Sequence, residues 1–115
     1  ASKKSTTAIT VNRKDFLEAL MVTTLMDNVI VIDISEQNVI MSNKPSVKGD
    51  SHTELSAVVE GKSNLRIGLE GSYMKDAIQA LKGEKITLHF EHAKAPVYLE
   101  EGPQTELILP VIIRE

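Results

Sequence analysis

Residues 65–113 read LRIGLEGSYMKDAIQALKGEKITLHFEHAKAPVYLEEGPQTELILPVII, and this stretch decides the fold. Residues 65–69 predict a strand, and apolar residues at helical spacing then predict a helix from about Ser72 to a stop at Gly83. Three further strands are expected at residues 86–90, 97–99 and 107–113, the first of which alternates apolar and polar residues. The order is strand, helix, strand, strand, strand, in an antiparallel sheet. The predicted apolar stripe of the helix is Met74, Ala77, Ile78 and Leu81.

The first half of the chain follows the same order. A strand around Ile9 and Val11 precedes Asn12, which resembles a helix N-cap with Asp15 three residues later, so a helix is expected to start near Arg13. Residues 29–34 and 39–41 predict a hairpin, residues 43–51 a loop and residues 55–59 a strand. The predicted buried stripe of this first helix is Phe16, Leu17, Leu20, Met21 and Leu25.

A shift of 57 residues, close to half the chain, superimposes the two halves. It places Phe16 on Tyr73 and Val31 on Leu88. We interpret the chain as a duplicated β-α-β-β-β unit. The expected fold class is α+β, with two helices lying side by side against antiparallel sheets.

Composition limits the classes of function. The chain has 115 residues, of which 42% are hydrophobic and 25% charged, with a net charge of −3, which is typical of one soluble globular domain. We expect residues 1–6 to form a flexible tail and residues 7–115 the domain. The absence of cysteine excludes disulfides and thiol nucleophiles and favours a reducing, cytoplasmic location. The apolar runs are too short to span a membrane.

Catalytic and metal-binding patterns are poor. His89 and His92 would point to opposite faces of a strand, with no evident third ligand. The six glycines form no phosphate-binding loop, and no local motif supplies a nucleophile with its base. We therefore expect no enzyme activity and no cofactor.

The stretches IGLEGSYMKDAIQALKGEKITLHF and LILPVII resemble the third domain of the bacterial DNA polymerase III β sliding clamp. A weaker likeness extends back through NVIVIDISEQNVIMSN to VNRKDFLEAL, so it covers nearly the whole chain. The resemblance implies the DNA-clamp fold, in which similar domains form a closed ring around duplex DNA with the helices lining the hole. It implies a processivity factor of a bacterial, phage or other replication system, which tethers a polymerase without catalysis.

Two sites follow from the resemblance. The first is the DNA-facing side of the helices, where loose, sequence-independent phosphate contacts are expected from Arg13, Lys14, Lys75 and Lys82. These cations are equally consistent with the solvated face of an amphipathic helix, because Glu18 and Asp76 lie among them. The second site is an apolar pocket for the peptides of polymerases and other clamp users, and its matching positions are Glu70, Tyr73, Lys94, Pro96, Leu107, Leu109, Pro110 and Val111.

The resemblance also implies a head-to-tail interface between domains. One side is expected around Leu25, Met26, His52 and Glu54, and the facing side around Gln104, Thr105 and Glu106. Six copies of a single domain would match a six-domain ring. Two alternatives remain open: a clamp-like module that binds peptides or regulates a clamp without encircling DNA, and one domain of a longer clamp.

Overall fold

A computed structural model describes residues 6–25, 27–43, 52–62 and 64–113. These residues form two helices and ten strands. In chain order the elements are β1 (Thr7–Asn12), α1 (Arg13–Thr24), β2 (Val29–Ile34), β3 (Val39–Asn43), β4 (His52–Leu55), β5 (Ala57–Gly61), β6 (Leu65–Glu70), α2 (Gly71–Ala80), β7 (Lys85–Phe90), β8 (Val97–Glu101), β9 (Gln104–Ile108) and β10 (Pro110–Val111).

The strands form two antiparallel sheets of five strands each. Sheet one has the order β5-β1-β7-β8-β9, and sheet two has the order β10-β6-β2-β3-β4. At the centre of each sheet, a strand from one half of the chain pairs with a strand from the other, β1 with β7 and β6 with β2. The two halves therefore interlock, and the α+β fold of the sequence prediction is confirmed.

The two helices pack side by side and run in opposite directions. The Arg13 N–H at the start of α1 donates to the Glu84 carbonyl just past α2, at 2.8 Å. The Gly71 N–H at the start of α2 donates to the Asn28 carbonyl just past α1, at 2.6 Å. Each helix thus begins where the other ends. The Asn12 side chain caps α1 by accepting from the Asp15 N–H at 3.0 Å, as the sequence predicts.

The two halves are related by a shift of 58 residues rather than 57 through the first strand and helix. This shift, the separation of Thr7 from Leu65, places buried Phe16 on buried Met74 and exposed Asp15 on exposed Tyr73. The predicted alignment of Phe16 with Tyr73 was wrong, because it pairs a fully buried residue with one that is 60% exposed. With the 58-residue shift, Tyr73 matches exposed Asp15 and lies outside the core.

Burial on α1 differs from its predicted stripe. Phe16 and Leu20 are buried as expected, but Met21 and Leu25 are 53% and 83% exposed. Ala19 and Thr23 face the core instead. Both lie towards sheet two: Ala19 lines a groove with Thr53 to Ser56, and the Thr23 carbonyl accepts from Asn43 Nδ2 at 2.9 Å. For α2 the predicted residues Met74, Ala77, Ile78 and Leu81 are all buried.

Two predicted strands are each divided between the sheets. The strand expected at 55–59 is interrupted at Ser56, so that β4 belongs to sheet two and β5 to sheet one. The strand expected at 107–113 is interrupted at Leu109, between β9 of sheet one and β10 of sheet two. At each break the chain passes from one layer to the other, which closes the core between the sheets.

The first strand, β1, begins at Thr7. Residues 1–5 of the expected tail and 44–51 of the expected loop lie outside the described residues. Thr6 belongs to the folded part, because its N–H donates to the Phe90 carbonyl at 2.9 Å and its hydroxyl to the Glu91 carbonyl at 2.8 Å.

Candidate functional site

The chain turns a corner at Leu109, and this corner is the candidate site. After β9 leaves sheet one, Pro110 and Val111 pair with Leu69 and Gly68 at the edge of sheet two. Proline has no N–H to donate, which suits such a short edge strand. Two grooves flank the corner, and both are lined by Leu109, Pro110 and Val111.

The smaller groove lies between α2 and the corner. Its volume is 310 Å³, and it is lined by Glu70, Tyr73, Leu107, Ile108, Leu109, Pro110 and Val111. Tyr73, Leu107 and Leu109 are 60%, 52% and 66% exposed. Three large apolar side chains exposed side by side are typical of a surface that binds another molecule.

Asn28 positions the α2 side of this groove. Its side-chain oxygen accepts from the Ser72 N–H at 3.0 Å and its amide nitrogen donates to Glu70 Oε2 at 3.0 Å. A Cβ at Gly71 would overlap Thr24 Cγ2 and lie 2.9 Å from the Asn28 carbonyl oxygen. Glycine therefore allows the close contact that fixes the first turn of α2 and, with it, Tyr73.

The larger groove lies on the other side of the corner. Its volume is 570 Å³, and it is lined by Arg66, Gly68, Ala93, Lys94, Leu109, Pro110, Val111, Ile112 and Ile113. A Cβ at Gly68 would lie 2.8 Å from Ile113 Cγ1 and 3.0 Å from the Val111 carbonyl oxygen, so glycine allows residues 111–113 to pack closely against β6. Lys94 lies in the tight turn after β7, where its N–H donates to His92 Nδ1 at 3.1 Å.

The structure brings together seven of the eight residues expected in the peptide pocket. Glu70, Tyr73 and Leu107 line the smaller groove, Lys94 the larger, and the three corner residues line both. Pro96, which is half-buried, lines neither. Sequence reasoning missed Arg66, Gly68 and Ile113, although the alternation along residues 65–70 places Arg66 and Gly68 on the same face as Glu70.

The expected DNA-facing cations lie on the helix layer but form no single cluster. Arg13 Nε donates to the Gly83 carbonyl at 2.9 Å, so Arg13, Lys14 and Lys82 lie at one end of the helix pair. Lys75 lies in the middle of α2, whereas Lys82 lies two residues past its last residue, Ala80. Lys14 and Lys82 are exposed, and Arg13 and Lys75 are half-buried.

The expected interface residues lie at two sheet edges. Exposed His52 and Glu54 are on β4, the edge of sheet two, and Leu25 follows α1. Exposed Gln104 and half-buried Glu106 are on β9, the edge of sheet one. Met26 lies outside the described residues.

Comparison with known proteins gives the family. Residues 2–112 match the family model described as DNA polymerase III beta subunit, C-terminal domain. The chain belongs to this family. The match takes in both sheets, both helices and every lining residue of the two grooves except Ile113, so this clamp-family domain carries nearly all of the candidate site within its family region.

The beta sliding clamp of Bacillus subtilis (strain 168) is 31% identical to this domain over 95% of the chain and 30% of that protein. The crystal structure of the sliding clamp from Bacillus subtilis has a TM-score of 0.86 at 28% identity, covering 97% of this chain and 32% of the other. The crystal structure of the DNA polymerase III beta subunit from Thermotoga maritima has a TM-score of 0.87 at 18% identity, covering 98% of this chain and 32% of the other. At this low identity the likeness shows the fold alone. The domain thus spans about a third of the length of these relatives.

Within the described part of this clamp-family domain, no group of three or more His, Asp or Glu side chains is arranged to hold a metal ion. No helix in the same residues is long and apolar enough to cross a membrane.

Proposed function

We propose that this chain is a sliding-clamp domain that captures linear peptides of a DNA polymerase or another clamp user and assembles into a ring around duplex DNA. It carries out no chemical reaction and acts on DNA in the cytoplasm. The observation that carries the proposal is the adjacency of exposed Tyr73, Leu107 and Leu109 at the sheet corner.

Peptide capture is supported by the free energy available at this corner. Fully burying a large apolar side chain contributes about 1.5–3 kcal/mol. Tyr73, Leu107 and Leu109 are each more than half exposed, so covering all three would contribute about 3–5 kcal/mol before the cost of association. This magnitude fits weak binding of a short peptide by one domain.

A ring around DNA is supported by the two open sheet edges. The β4 edge of one domain and the β9 edge of the next lie in different sheets, as a head-to-tail contact requires. The cations Arg13, Lys14, Lys75 and Lys82 on the helix layer would then supply nonspecific attraction to phosphate. Six copies of this chain would supply a six-domain ring, and the same contacts would serve a domain within a longer clamp.

A non-encircling module is the second candidate. The β9 edge carries Gln104 and Glu106, polar residues that favour contact with solvent over a stable interface between copies. Such a module would use the grooves for peptides, or the β4 edge to regulate a clamp, without forming a ring.

Native mass in solution distinguishes these candidates. Light scattering over a concentration series is expected to give a species near six times 12.6 kDa for a ring of single domains. Retention of that species on circular but not linear DNA would establish encirclement. A monomer or dimer at every concentration would refute the self-assembled ring and favour the peptide module or a domain of a longer clamp.

Peptide capture is tested separately by a pair of variants. Tyr73→Ala should weaken binding of an apolar synthetic peptide by roughly five- to thirtyfold, because it removes one of the three exposed anchors. Val58→Ala is the matched control, since Val58 is equally exposed but lies on β5 and lines neither groove. Equal binding by both variants would refute the assignment of the groove.

A further inference from the structure

The two grooves at the corner differ in charge. The larger groove contains two charged lining residues, Arg66 and Lys94, and both are cationic. The smaller groove contains one, Glu70, which is anionic. The stretch that both grooves share, Leu109 to Val111, is uncharged and apolar. The site is therefore positive at one end, apolar in the middle and negative at the other end.

The charges at the two ends are held to different degrees. Arg66 Nε lies 3.6 Å from Asp33 Oδ1 on the neighbouring strand, and this ion pair offsets part of its charge, so the net positive charge at this end comes chiefly from Lys94. The backbone of Lys94 is fixed in a tight turn by the bond from its N–H to His92, whereas the lysine residue is exposed. Glu70 Oε2 accepts from Asn28, which holds the carboxylate beside the start of α2.

The spacing of these ends sets the length of segment that fits. Arg66 and Glu70 lie on the same face of β6, four residues apart, which corresponds to about 13 Å along a strand. An extended peptide covers that distance with about four residues. Its apolar side chains would lie over Leu109 and Val111, and its two flanks would meet opposite charges.

We propose, resting on the peptide-capture function above, that the site selects extended peptides with an acidic flank beside Arg66 and Lys94 and a neutral or basic flank beside Glu70. The exposed apolar corner supplies the affinity and the charged ends supply the orientation. Exposed ion pairs are individually weak, so each charge contributes about a two- to fivefold preference at low salt.

The test uses five synthetic peptides with one central apolar segment of two leucines and a phenylalanine. They carry two aspartates at the amino end, two aspartates at the carboxyl end, two lysines at the amino end, two lysines at the carboxyl end, or asparagines at both. Each is titrated into the ¹⁵N-labelled 115-residue chain by NMR at low and at high salt. One aspartate peptide is expected to bind at least threefold more tightly than the asparagine peptide, and high salt should remove the difference.

Charge reversal assigns the preference to this site. Lys94→Glu should abolish the preference for the aspartate peptide, because it reverses the charge at the positive end of the site. Lys75→Glu, an equal change of net charge on α2 away from both grooves, should leave the preference intact. The NMR spectrum of each variant reports at the same time that the fold is preserved.

The outcomes separate the two proposals. If the peptides bind at the grooves with equal affinity, or if Lys75→Glu acts as strongly as Lys94→Glu, the charge selection is refuted and peptide capture stands. If no peptide shifts the resonances of the groove residues, peptide capture itself is refuted and the selection with it.

Discussion

Replacing Gly71 with alanine should destabilise the contact between the two helix ends. The added Cβ would overlap Thr24 Cγ2 and approach the Asn28 carbonyl oxygen to 2.9 Å. That carbonyl accepts the Gly71 N–H at 2.6 Å, and the Asn28 side chain holds both Glu70 and Ser72. The first turn of α2 has to move outward to relieve the overlap.

The expected net loss is about 1–3 kcal/mol in the free energy of unfolding. Overpacking a close contact costs about 1–3 kcal/mol, and weakening one or two hydrogen bonds adds about 1 kcal/mol. Alanine is favoured over glycine in a helix by about 0.5–1 kcal/mol, which offsets part of this cost.

Urea denaturation of four proteins isolates the contact: wild type, Gly71→Ala, Thr24→Ser and the double variant. Serine removes Thr24 Cγ2 but retains a hydroxyl for the bond that Thr24 donates to the Leu20 carbonyl at 2.7 Å. The free energy of unfolding of the double variant should therefore be about 0.5–2 kcal/mol higher than the sum of the two single changes predicts. Additive losses, or a Gly71→Ala protein as stable as wild type, would contradict the packing described here.

Three further predictions concern the cap, the corner and the sheets. Asn12→Ala should lower the free energy of unfolding by about 1 kcal/mol, because it removes the cap of α1, whereas Gln37→Ala in an exposed turn should change it by less than about 0.5 kcal/mol; urea denaturation checks both. Leu109→Ala should weaken peptide binding about fivefold or more in the NMR titration while leaving the urea midpoint nearly unchanged, since the side chain is largely exposed. Amide hydrogen exchange should be slowest in the central strands β1, β7, β2 and β6 and fastest in the edge strands β4 and β9; uniform exchange across each sheet would contradict the strand order.

Much of the fold follows from local pattern. The alternation of Ile86, Leu88 and Phe90, the cap at Asn12 and the stripe on α2 each predict their element correctly, because each depends on residues close in sequence. The divisions at Ser56 and Leu109 were missed for the opposite reason. The residues on either side keep a strand-forming pattern, and only pairing with distant strands decides which sheet each piece joins.

The candidate site was partly accessible from the sequence. The apolar segment around Leu109 and Pro110 can be recognised directly in the sequence, and the family resemblance adds Tyr73 and Lys94 to the site. The exposure of Tyr73 agrees with the predicted stripe of α2, which begins at Met74, whereas the 57-residue alignment suggested the opposite by placing Tyr73 on buried Phe16. Arg66 and Gly68 reach the site only because β10 pairs with β6, a contact between residues more than 40 positions apart.

The exchange of strands between the two halves has a consequence for the history of the fold. Because β1 finds its central partner in β7, and β6 in β2, a chain with only one unit would leave its first and second strands without their central neighbours. Two identical copies of such a half would provide the missing neighbours for each other, with both helices side by side as they are here. The domain thus has the strand pairing expected of a symmetric dimer of two such halves, joined here in one chain. Asp15 and Tyr73 occupy equivalent places in the two halves, yet only the second half has acquired the exposed ring that borders a groove.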